Sequence, residues 1–169
     1  WGWVGMNESI RNFIIFVICG FNIFAQINQL RCESLANPGG VVSDLEALSE
    51  ATREAGVPLI VDNTLASPYL CRPIEHGADV VVHSTTKFIS GHGNAMGGAV
   101  IDSGKFDWMQ NPKKFPSLAL PEPAYHGLRF SETFGDLAFT THAHAVTLRD
   151  LGATQAPMNA FQTLLGVET

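Results

Sequence analysis

Apolar and polar positions fall into order from Ser43 onward. Leu45, Leu48, Ala51, Thr52 and Ala55 recur at helical spacing. Ahead of them, Ser43-Asp44-Leu45-Glu46 has the form of a capping box, in which Ser43 and Glu46 each satisfy an orphan amide, and Gly56 supplies the stop. A fully apolar run over 57–61 predicts a strand that ends at Asp62-Asn63. A short helix around 73–76 closes at Gly77, and 79–83 reads as the next strand. Helices alternating with continuous apolar strands predict an α/β fold with a mostly parallel sheet covered on both faces. A further strand is expected over 97–101. Phe134, Leu137, Ala138, Thr141, Ala145 and Leu148 mark one long helix that Gly152 ends, and Pro157 opens another running to Gly166. The proline- and charge-rich stretch 105–123 predicts a long surface connection.

Residues 1–32 read differently. The stretch 13–24 is almost wholly apolar, broken by Gly20 and Asn22. It falls short of the about 20 apolar residues that a membrane span needs. Arg11 in front gives it the outline of a signal-peptide core, but no small-residue cleavage site follows. A buried strand or helix, or a shifted reading frame, is the preferred reading. The chain opens on Trp1 and closes on an apolar segment without a stop signal, as expected of a piece of a longer protein.

A length of 169 residues allows one domain. The formal net charge of −6, with scattered basic residues, argues against a nucleic-acid surface. Cys19, Cys32 and Cys71 have no metal-binding spacing, which favours a reduced, cytoplasmic setting. His142 and His144 lie on separate faces of the predicted long helix with no third ligand at helical spacing, so no metal site is expected.

The candidate chemistry lies at the strand ends. In open parallel sheets, ligands sit at the carboxyl ends of the strands. Asp62 ends one predicted strand and Lys87 follows the next by four residues, so both are expected to face one crevice. The run Val-Val-Val-His-Ser-Thr-Thr-Lys (80–87) therefore offers what a pyridoxal-phosphate enzyme needs. Lys87 brings an amine for the aldehyde, Asp62 an acid for the ring nitrogen, and Ser84 and Thr86 hydroxyls for the phosphate. Taken singly, Asp62 reads as a turn residue, because Asp-Asn often starts a loop. Its pairing with Lys87 favours the functional reading. His83 reads as a packed histidine, Gly91-His92-Gly93 as a tight bend after Lys87, and Tyr69 and Tyr125 as surface or packing residues.

Three blocks carry a resemblance: Glu33-Ser-Leu-Ala-Asn37-Pro38, Val61-Asp62-Asn63-Thr64, and His83-Ser-Thr-Thr-Lys87-Phe-Ile-Ser-Gly91-His92-Gly93. In order and spacing they resemble the Cys/Met-metabolism PLP-dependent enzymes, a family that includes cystathionine γ-synthase, methionine γ-lyase and O-acetylhomoserine sulfhydrylase. The text at 120–127 and 134–139 looks most like the sulfhydrylase branch. The resemblance covers 33–169, read as a partial PLP-binding large domain, and leaves 1–32 unassigned.

That resemblance implies the aspartate-aminotransferase-like fold (fold type I), a homodimer or homotetramer, and a cytoplasmic enzyme acting on a small amino acid, with neither nucleic acid nor membrane as partner. It implies γ-replacement on O-acetyl-L-homoserine by sulfide or a thiol, giving homocysteine or methionine. A γ-lyase or γ-synthase of the same family, or a non-catalytic remnant of the fold, is the alternative. It also implies that Lys87 holds the cofactor and that Asn37 lies near the ring hydroxyl and the substrate carboxylate. An Asn-Pro-Gly-Gly turn would explain the same residues at 37–40 without a ligand. The departures are specific. The family's phosphate-binding helix start and ring-stacking aromatic, expected before Glu33, find no match in 1–32, and Gln29-Leu-Arg-Cys32 stands where the family has an apolar strand. Its carboxylate-gripping arginine belongs beyond Thr169, and tyrosine and arginine groups from a neighbouring subunit's N-terminal region are also missing. The chain alone is therefore expected to be inactive.

Overall fold

The computed structural model describes residues 29–169. The apolar stretch 13–24, Arg11 and Cys19 lie outside the described residues. The centre is a four-stranded sheet in the order β1 (Leu30–Glu33), β2 (Leu59–Asp62), β3 (Val80–Ser84), β4 (Gly98–Asp102). The first three strands are parallel, with Glu33 opposite Asp62 and Asp62 opposite Val82. β4 runs antiparallel to β3, with Ser84 opposite Gly98. The segment Leu-Arg-Cys-Glu thus forms a strand although Arg31 interrupts its apolar character.

Alternation along the strands splits the core in two. Ile60 and Val80 face Trp108, Phe115, Leu118, Phe130 and Phe139. Leu59, Val61 and Val81 face the other way, onto Cys32, Ala78 and Leu45, the last on α1 (Leu45–Ala55). Both sides of the sheet are therefore covered, as the apolar strands predict. Gly56 ends α1 in a left-handed conformation at φ 60° and donates to Arg53 and Thr52 carbonyls. Pro58, which has no amide hydrogen to give, then delays the strand to Leu59. The connection to β3 carries the short α2 (Ser67–Leu70) and a 3₁₀ turn over Pro73–His76.

The structure corrects the sequence reading in particular places. The cap of α1 is Asp44, whose carboxylate accepts from the Ala47 amide at 3.0 Å. Ser43 instead donates its hydroxyl to the Glu33 carbonyl at 2.6 Å, tying the helix entry to the end of β1. The expected surface connection over 105–123 is core. It buries Trp108, Phe115, Leu118 and Ala119, with Phe106 and Trp108 rings 4.7 Å apart and Trp108 stacked on Phe139 at 5.5 Å. Its prolines and charges occupy the turns between these anchors, including the entry to α3 (Pro116–Ala119), and hide them from any periodic pattern.

The expected long helix after Phe134 is broken. α4 (Phe130–Phe134) stops at Gly135, whose φ of 52° and ψ of −122° no side-chain-bearing residue readily adopts. A 3₁₀ turn, α5 (Ala138–His142) and a π-helical stretch over Ala143–Asp150 follow. Ala138 and Phe139 are buried, whereas Leu137 is exposed. α6 (Pro157–Glu168) opens at the expected proline.

Candidate active site

The carboxyl ends of β1, β2 and β3 lie side by side, and each loop leaving them carries a polar group. Asn37, Asp62, Ser84, Thr86 and Lys87, all chosen from sequence, line one cavity of about 480 Å³ there. Glu33, Thr64 and Phe88 complete much of the wall. A second cavity of about 690 Å³, lined by Arg53, Asp79 and Lys105, opens near the amino ends of the strands. There the Asp79 carboxylate is occupied structurally, accepting from the Leu59 amide at 2.8 Å, and burial first of all raises its pKa. The carboxyl-end cavity is the one that sheet topology assigns to a ligand.

Asp62 makes the turn contact read from the sequence and also lines the cavity. One carboxylate oxygen, Oδ1, accepts from the Thr64 amide at 2.9 Å, the geometry of an Asx turn. Its other oxygen makes no hydrogen bond to a described residue, which leaves it open to a ligand. The Thr64 hydroxyl accepts from the Ser84 amide at 2.8 Å. Thr64 therefore locks the end of β2 to the end of β3 and orients both site residues. Sequence reasoning quoted Thr64 without assigning it a task; the Asp-x-Thr spacing of an Asx turn was the available signal.

Below this lock sits Asn63, fully buried at 0 % exposure. Its Oδ1 accepts the Ser34 hydroxyl at 2.6 Å, its Nδ2 donates to the Cys71 carbonyl at 2.7 Å, and its amide donates to Val82. Each of these polar atoms thus has a partner, and one residue pins three segments, two through its side chain and one through its backbone amide. Neither Ser34 nor Asn63 was singled out from sequence, because their roles exist only once β1 and β2 pair.

The lysine loop is shaped by its own backbone. Lys87 donates its amide to Ser84 at 3.2 Å, and its carbonyl accepts from Gly91 at 2.8 Å, where φ is 71°. The bend expected at Gly91-His92-Gly93 is present, with Gly93 also at positive φ. Lys87 itself is exposed, and Phe88 beside it is 64 % exposed at the cavity rim. The Ser84 hydroxyl makes no hydrogen bond to a described residue. The Thr86 hydroxyl accepts from the Gly97 amide at 3.0 Å and directs its proton at the Gly97 carbonyl over a longer 3.3 Å. Asn37 precedes a cis proline, and its amide donates to Glu33 Oε2 at 2.8 Å. The turn over 37–40 is real, since Gly40 donates to Ala36, and it also brings Asn37 to the cavity.

His83 is buried at 2 % exposure, the packed histidine the sequence suggested. Burial pushes its imidazole below the ordinary value, against the pull of Asp62 and of the Asn63 backbone. Cys32 is buried as well. Burial, then Glu33 and Asp62, push its thiol up to about 11, so it is protonated and no nucleophile near neutrality. Tyr69 is 93 % exposed, and Tyr125 donates to Asp150 at 2.8 Å while Arg149 donates to its hydroxyl at 2.7 Å. No group of three or more metal-ligating side chains occurs among the described residues. Nor is any helix among them long and apolar enough to cross a membrane.

An amine, a half-buried carboxylate with an open oxygen and an unpartnered hydroxyl, around a cavity within the about 300–1,000 Å³ usual for ligand sites, fit pyridoxal phosphate. On a parallel sheet this is the equipment of a pyridoxal-phosphate enzyme of the α/β class. The chain belongs to the Cys/Met metabolism PLP-dependent enzyme family, whose model matches residues 23–169.

It is 51 % identical over 138 residues to a homocysteine synthase of Schizosaccharomyces pombe, covering 81 % of this chain and 32 % of that protein. Against an O-acetyl-L-homoserine sulfhydrylase of Leptospira meyeri it is 48 % identical over 145 residues, covering 81 % and 32 %. Among solved structures it is similar to a Campylobacter jejuni protein assigned as an O-acetylhomoserine (thiol)-lyase, with a TM-score of 0.77 and 37 % identity over 84 % of this chain and 35 % of that one. That structure carries an N'-pyridoxyl-lysine 5'-monophosphate residue. The chain spans about a third of the length of the curated relatives it matches.

Proposed function

We propose that residues 33–169 are the central part of the PLP-binding large domain of an enzyme that performs γ-replacement on O-acetyl-L-homoserine. Sulfide or a thiol is the incoming group, the Cγ–O bond breaks to release acetate, and homocysteine or methionine is the product. The observation that carries this reading is the single cavity shared by Lys87, Asp62, Ser84, Thr86 and Asn37 at the carboxyl ends of the parallel strands. Similarity to homocysteine synthases and O-acetylhomoserine sulfhydrylases supports the choice of reaction within the family.

Pyridoxal phosphate, when bound, supplies an electron sink that acidifies the carbons of an amino-acid substrate. Lys87 would hold the cofactor through its Nζ, and the same atom, when free, would take and return protons. Asp62 keeps one carboxylate oxygen on the Thr64 amide and offers the other to the pyridine nitrogen, so its orientation is fixed before any ligand arrives. Ser84 donates its unpartnered hydroxyl to the phosphate. Thr86 does the same by turning its proton away from Gly97 while still accepting the Gly97 amide. Asn37, whose amide is held by Glu33, would serve the ring hydroxyl and the substrate carboxylate. The complete enzyme is a homodimer or homotetramer of the cytoplasm.

The test is optical. Pyridoxal phosphate titrated into the purified chain develops a protein-bound visible band, and Lys87→Ala abolishes it. A band of unchanged intensity in Lys87→Ala contradicts the assignment.

A further inference from the structure

The loop that carries Lys87 is braced from behind by α6. Asn94 Nδ2 donates to Gln162 Oε1 at 2.9 Å, and Asn159 Nδ2 donates to the Met96 carbonyl at 2.9 Å. One turn beyond these tethers, Gly166 lies flat against Ser90. A Cβ on Gly166 would fall onto the Ser90 backbone, 2.7 Å from its Cα and nearer still to its carbonyl oxygen. The collision is with backbone, so no rotamer change relieves it. Ser90 is itself fully buried, and its amide donates to Thr85 at 2.9 Å. The next amide, Gly91, donates to the Lys87 carbonyl at 2.8 Å. Any displacement of Ser90 is thus passed to Lys87 through one hydrogen bond.

α6 buries no residue of its own, and Met158, Phe161, Leu164 and Leu165 stand exposed on it. Its hold on the described fold is therefore made through this loop rather than through a core face. A glycine within a helix costs stability relative to alanine, and Gly166 stands in the last turn of α6, so its presence there calls for a packing reason. Close approach to Ser90 is that reason.

We propose that Gly166 is a positioning residue for Lys87: its missing side chain lets α6 seat against Ser90 and fix where the lysine loop places its amine. This rests on the reading of Lys87 as the cofactor lysine, but the seating itself can be tested without cofactor. In Gly166→Ala, amide exchange at Ser90 and Gly91 is expected to speed up about tenfold while β2 amides exchange as before. At a fixed pyridoxal phosphate concentration, borohydride-trapped label on Lys87 falls by a similar factor, and the pH midpoint of the bound cofactor's visible absorption shifts. Unchanged exchange and unchanged label would overturn the proposal.

If Gly166→Ala loses protection throughout, Asn159→Ala decides, since it removes the Met96 tether without adding bulk. Selective loosening over 90–97 in that variant supports the brace, and wild-type exchange overturns it. A wild-type chain that takes no label on Lys87 would sink the cofactor reading alone, because the exchange comparison still decides the brace.

Discussion

Replacing Thr64 with valine removes one atom's function and almost nothing else. Valine keeps the β-branched shape and the backbone amide that donates to Asp62 at 2.9 Å. What disappears is the hydroxyl that accepts the Ser84 amide at 2.8 Å. That amide is partly buried, so losing its acceptor costs about 1–3 kcal/mol. With a urea m-value of about 2 kcal/mol/M, the unfolding midpoint of the purified chain should fall by about 0.5–1.5 M. Thr64→Ser retains the acceptor and should stay within about 0.3 M of wild type. Urea titrations of the three proteins by circular dichroism give the comparison. If valine unfolds at the wild-type midpoint, or serine is the worse variant, the Asp62–Thr64–Ser84 lock is not what holds the strand ends together.

Asp62→Asn keeps an acceptor for the Thr64 amide and loses the charge facing the ring nitrogen. Its urea midpoint should stay near wild type, while kcat/KM of the complete enzyme carrying this segment falls by about 10²–10³. Ser34→Ala leaves the Oδ1 of fully buried Asn63 without its 2.6 Å partner, and a loss of about 1–3 kcal/mol should appear in the same urea assay. Burial lowers the pKa of His83 and His142, so the unfolded chain takes up protons below pH 6.5 that the folded chain refuses. Stability should therefore fall as pH drops from 7.5 towards 5. His142→Phe, which keeps a ring against Phe130 at the present 4.8 Å contact, should flatten that fall.

Local signals in this chain were readable because they are self-contained. The apolar runs of β2 and β3, the stop at Gly56 and the proline opening α6 each depend on neighbours in sequence. The shared cavity followed from sheet topology, since consecutive parallel strands bring their carboxyl ends together whatever lies between them. The capping residue was missed by one position because Ser43 and Asp44 are both good caps, and only the docking of Ser43 onto Glu33 decides between them. Trp108 and Phe115 were missed because their burial depends on Phe139 and α4, far along the chain. The antiparallel course of β4 has a similar origin. Nothing in Gly-Ala-Val-Ile-Asp states a direction; the bend over 85–97, with Gly91 and Gly93 at positive φ, returns the chain antiparallel to β3.

Incubating the purified chain with pyridoxal phosphate, reducing with borohydride and mapping the modified lysine addresses the shared crevice most directly. Modification concentrated on Lys87, and weakened in Asp62→Asn, is the predicted result. Modification spread over Lys105, Lys113 and Lys114 with Lys87 no more reactive than these would contradict it.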